Sequence, residues 1–251
     1  MVVLNLPSRK QRELLQRHEL ILDIAKDLIA SEGFANFRMD RIAEIAEYSK
    51  GTIYQHFQCK EEVLAHLCMR GMRIWKSFFE RALKFEGLTR ERLLAFHLGH
   101  DIYAKLHPIE YAGIYMVKSA GIREKISRET HEAIDLLMSE IMGLVVVVID
   151  DGVKNHDVQL PNGLSPLDMV YGFWATHYGH LMFDHFNFAY GSMGVGDRVQ
   201  ILRSWLRLLL DGLPWTPLST EHDYSSVAIK IYDQIFPEES LLLKNDYVEL
   251  K

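Results

Sequence analysis

Cysteine and proline are scarce in this chain, and long apolar runs are missing. Its 251 residues include only 2 Cys and 7 Pro. The cysteines, Cys59 and Cys68, are too few and too close in sequence for a disulfide framework, so we expect reduced thiols. The longest apolar run, Leu144 to Ile149, is far shorter than the roughly 20 residues that span a bilayer. The apolar start, Met1 to Leu6, is too short for a signal peptide, so we expect a cytoplasmic protein without membrane contact.

The signatures of several enzyme classes are also missing. The sequence contains no phosphate-binding loop, no dinucleotide fingerprint and no nucleophile elbow. We therefore predict no catalytic residue and no cofactor. The composition, 48% hydrophobic and 25% charged, is typical of a folded globular protein. The net charge of -6 is unevenly distributed, because residues 1–76 carry a small excess of Lys and Arg. This asymmetry suits a protein that contacts phosphates with one end.

The most informative segment runs from Ile42 to Leu64 and predicts two short helices that cross at a tight turn. Small and apolar residues at helical spacing form the first helix and allow a second helix to approach closely. Ser49 is a good N-cap for that second helix, and Ile53 with Phe57 forms its buried stripe. The residues left facing outward are polar or cationic, as in a recognition helix in a major groove: Lys50, Thr52, Tyr54, Gln55 and His56.

Residues 18–67 resemble the N-terminal domain of TetR-type transcriptional regulators. The matching residues are Ile21, Ala25, Leu28, Ile29, Gly33, Phe34, Ile42, Ala43, Ala46, the run from Ser49 to Phe57, Lys60, Glu61, Glu62 and Leu64. Three places depart from the family pattern. Glu47 and Tyr48 replace the usual Gly and Val, Cys59 replaces a Ser or Asn cap, and Phe37-Arg38 replaces a Thr or Ser at the start of the second helix.

The resemblance implies an all-α fold. A three-helix helix-turn-helix domain would be joined by a continuous helix, Lys60 to Phe85, to a larger helical domain for ligand binding and dimerisation. We divide the chain into a flexible basic arm (1–17), a DNA-binding domain (18–75), a ligand-binding and dimerisation domain (76–236) and a loose C-terminal tail (237–251). Two interpretations of the arm stay open: it reaches an adjacent minor groove, as in other DNA-binding heads, or it is a disordered terminus.

The resemblance also assigns DNA-contacting residues. Tyr54, His56 and Lys60 are expected at phosphates, where the N-terminus of the fourth helix adds its dipole. Lys50, Thr52 and Gln55 are expected at bases, and Arg38 is a substitute for the missing hydroxyl. The complete predicted set is Arg38, Ser49, Lys50, Gly51, Thr52, Tyr54, Gln55, His56 and Lys60.

Helical patterns continue through the body of the chain. Thr89 is expected to cap one helix, and further helices are expected at 109–120, 122–149, 166–190, 197–213 and 224–236. The run Val145 to Val148 favours a strand by propensity, but it has no second strand to pair with, so we predict a helix there. Residues 150–164, with two Gly and one Pro, are predicted to form a loop.

Small residues on one face of the 166–190 helix predict a close helix crossing, since Gly within a helix costs about 1 kcal/mol relative to Ala. Together with the next helix they would form the four-helix dimer seam that the resemblance implies, and a palindromic operator requires a dimer. The alternative is a seam packed inside one protomer. The predicted interface residues are Gly172, Ala175, Thr176, Gly179, Leu202, Trp205, Leu206 and Leu209.

The middle helices are rich in aromatic residues, Met and His, which is typical of an apolar ligand cavity. A plain hydrophobic core uses the same residues. The resemblance favours the cavity, and the predicted ligand-binding residues are Phe96, His97, His100, Tyr103, Tyr115, Met138, Phe173, Trp174, His177 and Tyr178.

Two groups of His and Asp have spacings that could bind zinc or supply an acid and a base. One is His97, His100 and Asp101, and the other is His177, His180 and Asp184. Nothing in the sequence brings the two groups together, so we predict no metal site. A metal-dependent enzyme or metal-binding helical protein remains the alternative function.

We therefore predict a homodimeric, TetR-like DNA-binding regulator. It would act as a repressor on a palindromic double-stranded operator, and a small apolar ligand would release it. The ligand must bind the DNA-incompetent state better than the competent one.

Overall fold

The computed structural model describes residues 8–185 and 194–243, and helices are the only regular secondary structure in those ranges. None of the helices described there has the length and apolar character needed to cross a bilayer. The predicted all-α fold is confirmed. In chain order the helices are α1 (Arg9–Asn36), α2 (Met39–Ile45), α3 (Lys50–His56), α4 (Lys60–Ala82), α5 (Thr89–Leu106), α6 (Pro108–Met116), α7 (Ala120–Arg123), α8 (Arg128–Lys154), α9 (Pro166–His185), α10 (Arg198–Gly212), α11 (Tyr224–Ile235) and α12 (Pro237–Leu242).

The helices form two compact units. Unit 1 comprises Met1–Trp75 and Tyr103–Met138, and unit 2 comprises Lys76–Ile102 and Ser139–Lys251. The domain boundaries predicted from the sequence place residues 103–138 in the ligand-binding and dimerisation domain. In the structure these residues pack in the same unit as the helix-turn-helix segment. The boundary at residue 75 falls inside α4, which is one uninterrupted helix as predicted and ends at Ala82.

Helix α1 begins earlier than the sequence indicates. Ser8 and Gln11 form a capping box, in which the Ser8 hydroxyl accepts the Gln11 N–H at 3.2 Å and the Gln11 side chain accepts the Ser8 N–H at 2.7 Å. Residues 9–17 are therefore helical, which corrects the predicted flexible arm over that range. Residues 1–7 lie outside the described residues. Gly33, with a φ of 75°, interrupts the helical geometry near the end of α1.

Unit 1 is organised around α4. Arg70 of α4 pairs with Asp23 of α1 at 2.6 Å, and Gly71 beside it lies against α6. A Cβ at Gly71 would lie 2.7 Å from the Tyr103 hydroxyl and closer still to Glu110 Cβ. Glu110, only 1% exposed, pairs with Lys26 of α1 at 2.7 Å. An ion pair therefore joins α1 to α6, and its buried carboxylate lies against Gly71 of α4.

The two thiols also lie in unit 1. Cys68 on α4 is fully buried, and burial raises its pKa to about 12. Cys59 precedes α4, and its thiol donates to the Lys125 carbonyl at 3.5 Å. Burial raises the pKa of Cys59 as well. Both thiols are free in the structure.

The predicted helix 122–149 is two helices. Helix α8 has its own N-cap at Ser127, because the Ser127 hydroxyl accepts the Thr130 N–H at 3.1 Å. This cap ends the short α7 and separates it from α8. Residues 145–148 are helical, as predicted, and α8 continues to Lys154. The prediction of a loop over residues 150–164 is therefore wrong for residues 150–154, which belong to α8.

Unit 2 contains a buried polar network at the start of α5. Thr89 is the first residue of the helix rather than its cap, because its hydroxyl donates to Asp157 at 2.7 Å and accepts from the Trp215 indole at 3.0 Å. Arg90 is 2% exposed and donates to the Trp215 carbonyl at 2.7 Å. Arg90 also pairs with Asp211 at 2.7 Å. This network joins α5 to the chain that follows α10.

The C-terminal segment is packed rather than loose. Helix α11 matches the predicted 224–236 helix within one residue, and α12 follows it at once. Arg81 of α4 donates to Glu239 at 2.8 Å and also to the Ile235 carbonyl. The predicted loose tail, 237–251, is corrected for residues 237–243, because a non-local ion pair holds them. Residues 244–251 lie outside the described residues.

Gly71→Ala tests the close approach in unit 1. The added methyl group would collide with Glu110 and Tyr103, so we expect the free energy of unfolding to fall by about 1–3 kcal/mol, as overpacked cores do. Denaturant unfolding measures this change. Gly113→Ala on α6 is the matched control, since a Cβ there would meet Cys68 and Leu64 at 3.8 Å, an ordinary contact distance. Equal stability for Gly71→Ala and the wild type would contradict the close approach.

Candidate functional site

Helices α2 and α3 cross at a tight turn and pack against each other. Ile42 and Ala43 of α2 and Ile53 of α3 are buried, with Phe57 directly after α3. The Ser49 hydroxyl accepts the Thr52 N–H at 3.1 Å, so the predicted N-cap of α3 is present. These contacts build a helix-turn-helix element with α3 on its outer side.

The turn itself has the backbone conformation for which the family's usual glycine is suited, although Glu47 stands there in this chain. Glu47 has a φ of 55°, a left-handed conformation that favours glycine. The Tyr48 N–H reaches back to the Ala43 carbonyl at 3.1 Å and closes the C-terminus of α2. The Tyr48 ring lies 5.1 Å from the Arg17 guanidinium, which anchors the turn to α1.

The residues predicted to face bases lie together on the outer side of α3. Lys50 and Gln55 are exposed and Thr52 is half-buried. Lys50 pairs with Asp40 of α2 at 2.8 Å, and this hydrogen bond raises the pKa of Lys50. Thr52 Oγ1 lies 2.8 Å from the Ser49 hydroxyl. A base contact by Lys50 would therefore replace an existing exposed ion pair.

Gly51 is exposed at the start of α3. A Cβ at this position would meet only Ser49 Oγ, at 3.8 Å. The chain itself therefore does not require glycine here, and the missing side chain leaves room outside α3.

Arg38, Tyr54 and Lys60 share one shallow depression with a volume of about 400 Å³. Arg38 occupies the N-cap position of α2, but its side chain makes no capping hydrogen bond. Tyr54 is 48% exposed at the same edge. Three of the four predicted phosphate-contacting residues thus line one depression. Asp40 and Glu61 line it as well, so the groups that could bind phosphate oxygens lie beside two carboxylates.

Lys60 has a structural role that sequence reasoning missed. Its ammonium group donates to the carbonyls of Phe34, Ala35 and Phe37 at 3.2, 3.3 and 3.4 Å, and it lies 4.8 Å from the Phe34 ring centre. These carbonyls are at the C-terminal end of α1, where orphan acceptors need donors. The ammonium has only three donors, so the Lys60 side chain caps α1 instead of pointing freely outward.

The N-terminus of α4 is occupied by its own carboxylates. Glu61 pairs with Lys125 at 2.8 Å, and Glu62 accepts from the Ser127 backbone N–H and from Thr130 Oγ1 at 2.9 Å. Both glutamates are buried. A phosphate placed at this helix N-terminus would therefore meet two negative charges, which weakens the expected dipole contribution.

His56 belongs to an aromatic cluster in unit 1. Its ring centre lies 6.1 Å from that of His18, and the His18 ring lies 4.7 Å from Phe57 and 5.1 Å from His66. Burial lowers the pKa of His56, so the imidazole is neutral at pH 7 and is a hydrogen-bonding group rather than a cation. The partners His18 and His66 are distant in sequence and carry no local signal.

In unit 2, the structure brings together parts of the two His/Asp groups. His97 Nδ1 of α5 lies 2.7 Å from His177 Nε2 of α9. His177 Nδ1 lies 2.8 Å from the Phe173 carbonyl, which can only accept, so the proton is on His177 Nδ1. His177 Nε2 then carries a lone pair and His97 Nδ1 must donate to it. The ring of His100 lies 4.8 Å from that of His177.

Asp101 completes this group. Its Oδ2 lies 3.6 Å from His97 Nε2 and 3.9 Å from the Arg203 guanidinium. His97 Nε2 and Asp101 Oδ2 are buried and make no hydrogen bond. Burial lowers the pKa of His97 to about 4 and also lowers that of His177, so both imidazoles are neutral. The side chain of Asp184, the remaining carboxylate of the predicted groups, lies outside the described residues.

The other predicted ligand-binding residues are divided between the units. Phe96 is buried in unit 2 with its ring edge-on to Phe79 at 4.8 Å, and Trp174 lies 6.1 Å from Tyr178 on α9. The complete set falls into Tyr103, Tyr115 and Met138 in unit 1, and Phe96, His97, His100, Phe173, Trp174, His177 and Tyr178 in unit 2.

The predicted dimer residues lie on α9 and α10, which pack against each other. Leu202 and Leu206 are 6% and 8% exposed, which moves them from the predicted seam into the core of the protomer. The outer face of the pair instead exposes apolar side chains at Trp205 (59%), Leu208 (60%) and Leu209 (42%). Gly172, Ala175, Thr176 and Gly179 lie on α9, and a Cβ at either glycine would meet no atom within 4 Å.

Comparison with known proteins gives consistent matches. The family model described as "Bacterial regulatory proteins, tetR family" matches residues 21–67. The HTH-type transcriptional regulator YhgD of Bacillus subtilis (strain 168) is 26% identical over 153 residues, covering 58% of this chain and 73% of that protein. The fatty acid metabolism regulator protein of the same organism is 22% identical over 140 residues, covering 55% and 69%.

A solved structure shares the fold. The transcriptional regulator FadR from Bacillus subtilis, in complex with stearoyl-CoA, superposes with a TM-score of 0.57 at 20% identity. The alignment covers 78% of this chain and 98% of that one.

Proposed function

Because the chain belongs to the TetR family of DNA-binding transcriptional regulators, we propose that it represses transcription as a homodimer on a palindromic operator and is released by an acyl-chain effector. The proposal assigns no catalytic step to the chain and locates it in the cytoplasm, where the operator is accessible. The observation that carries it is the outer face of α3, where Lys50, Thr52 and Gln55 lie beside the depression at Arg38 and Tyr54.

The two sets of residues have different roles on the duplex. Gln55 and Thr52 present hydrogen-bonding groups to base edges, and exposed Gln55 can bond two atoms of an adenine. Arg38 and Tyr54 contact phosphates, which position the head without reading sequence. Lys60 supports this geometry by capping α1, so its contribution to DNA affinity is through the position of α1 relative to α4.

Variants at the two sets should separate base readout from phosphate contact. Gln55→Ala should relax preference at one base pair by about 1–3 kcal/mol, because a direct hydrogen-bond pair is lost. Arg38→Ala should weaken binding to all duplexes and flatten the logarithmic salt dependence by about one unit. Binding is measured by fluorescence anisotropy on operator and scrambled duplexes across a salt series.

Lys154→Ala, which removes an exposed positive charge at the end of α8 in unit 2, is the control for both variants. It should leave affinity and salt slope unchanged. If Arg38→Ala and Gln55→Ala lost the same affinity on operator and scrambled duplexes, the proposed division of roles would be wrong.

Dimerisation through α9 and α10 would cover the apolar face that one chain leaves exposed. Trp205, Leu208 and Leu209 form a contiguous surface at successive helical turns of α10, and apolar surfaces of this kind mark protein interfaces. The small residues Gly172 and Gly179 of α9 would allow the partner's helix to come close. A twofold dimer presents two α3 helices to the two half-sites of a palindrome.

Leu208→Glu should disrupt the dimer. A buried charge without a partner at an interface anchor should raise the dimer dissociation constant by about 30-fold or more, corresponding to at least about 2 kcal/mol. Leu241→Glu is the matched control, because Leu241 is a similarly exposed leucine on α12 of the same unit. Sedimentation at several concentrations measures the change. Retention of a tight dimer in Leu208→Glu would place the interface elsewhere.

The effector is proposed to be mainly apolar with an acyl chain. Unit 2 combines buried aromatic groups, Phe79 and Phe96, with a few polar tips at His100 and His177, which suits an apolar molecule with one polar group. The names of two similar proteins support the same class, since one is a fatty acid metabolism regulator and one was solved with stearoyl-CoA. Release requires that the effector bind the DNA-incompetent state more tightly.

A comparison of stearoyl-CoA, stearate and free CoA shows whether the protein recognises the acyl chain or the CoA group of the effector. Stearoyl-CoA or stearate should release a labelled operator duplex from the full-length protein, and free CoA should not. Phe96→Ala should raise the effector concentration for half-release by about tenfold, a loss of about 1.4 kcal/mol, with duplex affinity unchanged in the absence of effector. Release by free CoA alone, or no release by either acyl compound, would reject the acyl-chain proposal.

A further inference from the structure

We infer that His97, Asp101 and His177 form a binding site for a divalent transition metal of the Zn²⁺ class within unit 2. Each residue offers one ligand atom, and the three atoms lie within 4.8 Å of one another. Two imidazole nitrogens and one carboxylate oxygen are a ligand set that zinc accepts, with a fourth position left for water or a small ligand.

The positions of the protons favour a cation at this point. The Phe173 carbonyl fixes the proton of His177 on Nδ1, so its Nε2 presents a lone pair. His97 Nδ1 is then the donor at 2.7 Å, which leaves the lone pair of His97 on Nε2. His97 Nε2 lies 3.6 Å from Asp101 Oδ2, so two acceptors lie next to each other.

Two adjacent acceptors in a buried place are unfavourable unless something positive lies between them. Neither His97 Nε2 nor Asp101 Oδ2 makes a hydrogen bond. The Arg203 guanidinium lies 3.9 Å from Asp101 Oδ2, beyond hydrogen-bond distance. A metal ion would satisfy both atoms at once, because each would become a ligand.

The spacing agrees with tetrahedral coordination. Two ligands that are each about 2.1 Å from zinc lie roughly 3.4 Å apart, close to the 3.6 Å between His97 Nε2 and Asp101 Oδ2. His177 would turn its Nε2 from His97 Nδ1 toward the metal. The Phe173 carbonyl would hold the other nitrogen of His177 in place, as outer-shell carbonyls do in many zinc sites.

The positive charge of Arg203 would compete with a metal ion for Asp101. Two neutral imidazoles and one carboxylate leave a divalent ion with one net positive charge, and Arg203 adds a second positive charge nearby. Removal of the Arg203 charge should therefore strengthen metal binding, whereas removal of a ligand should weaken it. Opposite effects of two neighbouring substitutions are not expected from a cluster that only packs.

Titration of Zn²⁺ into the full-length protein after chelator treatment tests the inference. We expect one Zn²⁺ per chain by calorimetry, and Co²⁺ in its place should show the intense visible absorption of a tetrahedral site. His177→Gln and Asp101→Asn should each weaken Zn²⁺ binding by about 100-fold or more. Loss of an outer-shell partner already costs about 10–100-fold, and these residues would bind the metal directly. Arg203→Met should strengthen it several-fold.

His222→Gln is the matched control. His222 also pairs with a carboxylate in unit 2, Glu91 at 2.7 Å, but among the described residues no second imidazole joins them in a candidate metal group. This variant should bind Zn²⁺ like the wild type. Circular dichroism and thermal unfolding of each metal-free variant show whether the fold is intact, and Arg203→Met supplies a variant in which a gain, not a loss, is expected.

Two results would overturn the inference. One is Zn²⁺ binding that is unchanged in folded His177→Gln and Asp101→Asn, which would assign the ion to surface histidines. The other is no stoichiometric Zn²⁺ or Co²⁺ binding to the wild type. The site is independent of the proposed operator binding, so a failure of either proposal leaves the other standing.

Discussion

The ion pair between Lys26 and the buried carboxylate of Glu110 is the interaction on which unit 1 depends. It lies where α1, α4 and α6 meet, and the absence of a side chain at Gly71 makes the meeting close enough. Glu110 is almost fully buried, so loss of its partner would leave a charge without water or counter-ion, and such losses cost about 3–5 kcal/mol in fully buried pairs. The value here is lower, because Lys26 is about one-third exposed.

This pair is one of several contacts that hold segment 103–138 to the helix-turn-helix segment. Segment 103–138 is held to the DNA-binding helices at three places: the Lys26–Glu110 pair, the Glu61–Lys125 pair and the hydrogen bonds of Glu62 with Ser127 and Thr130. The same chain continues into α5 and α8, which carry residues of unit 2. These charged contacts are directional, so they fix the position of segment 103–138 against α1 and α4 within unit 1.

Local patterns in the sequence predicted the local structure well. Ser49, Ile53 and Phe57 specify α3 by capping and helical spacing, and the structure has that helix with that cap. Contacts between residues distant in sequence could not be predicted. The spacing of apolar residues within one helix does not indicate which other helix packs against it. Lys60 capping α1, Arg81 holding α12 and His97 meeting His177 are all of this kind. Leu202 and Leu206 show the same limit, since apolar periodicity does not tell the inner side of a helix from an exposed apolar side.

The environment of the two thiols has a consequence for the signals this regulator can receive. Oxidants and electrophiles react with thiolate, and burial keeps Cys68 protonated far above physiological pH and shifts Cys59 in the same direction. These are the only cysteines of the chain. Peroxide or disulfide stress would therefore leave both thiols of unit 1 unmodified, so a redox signal has no reactive cysteine through which to act on this chain.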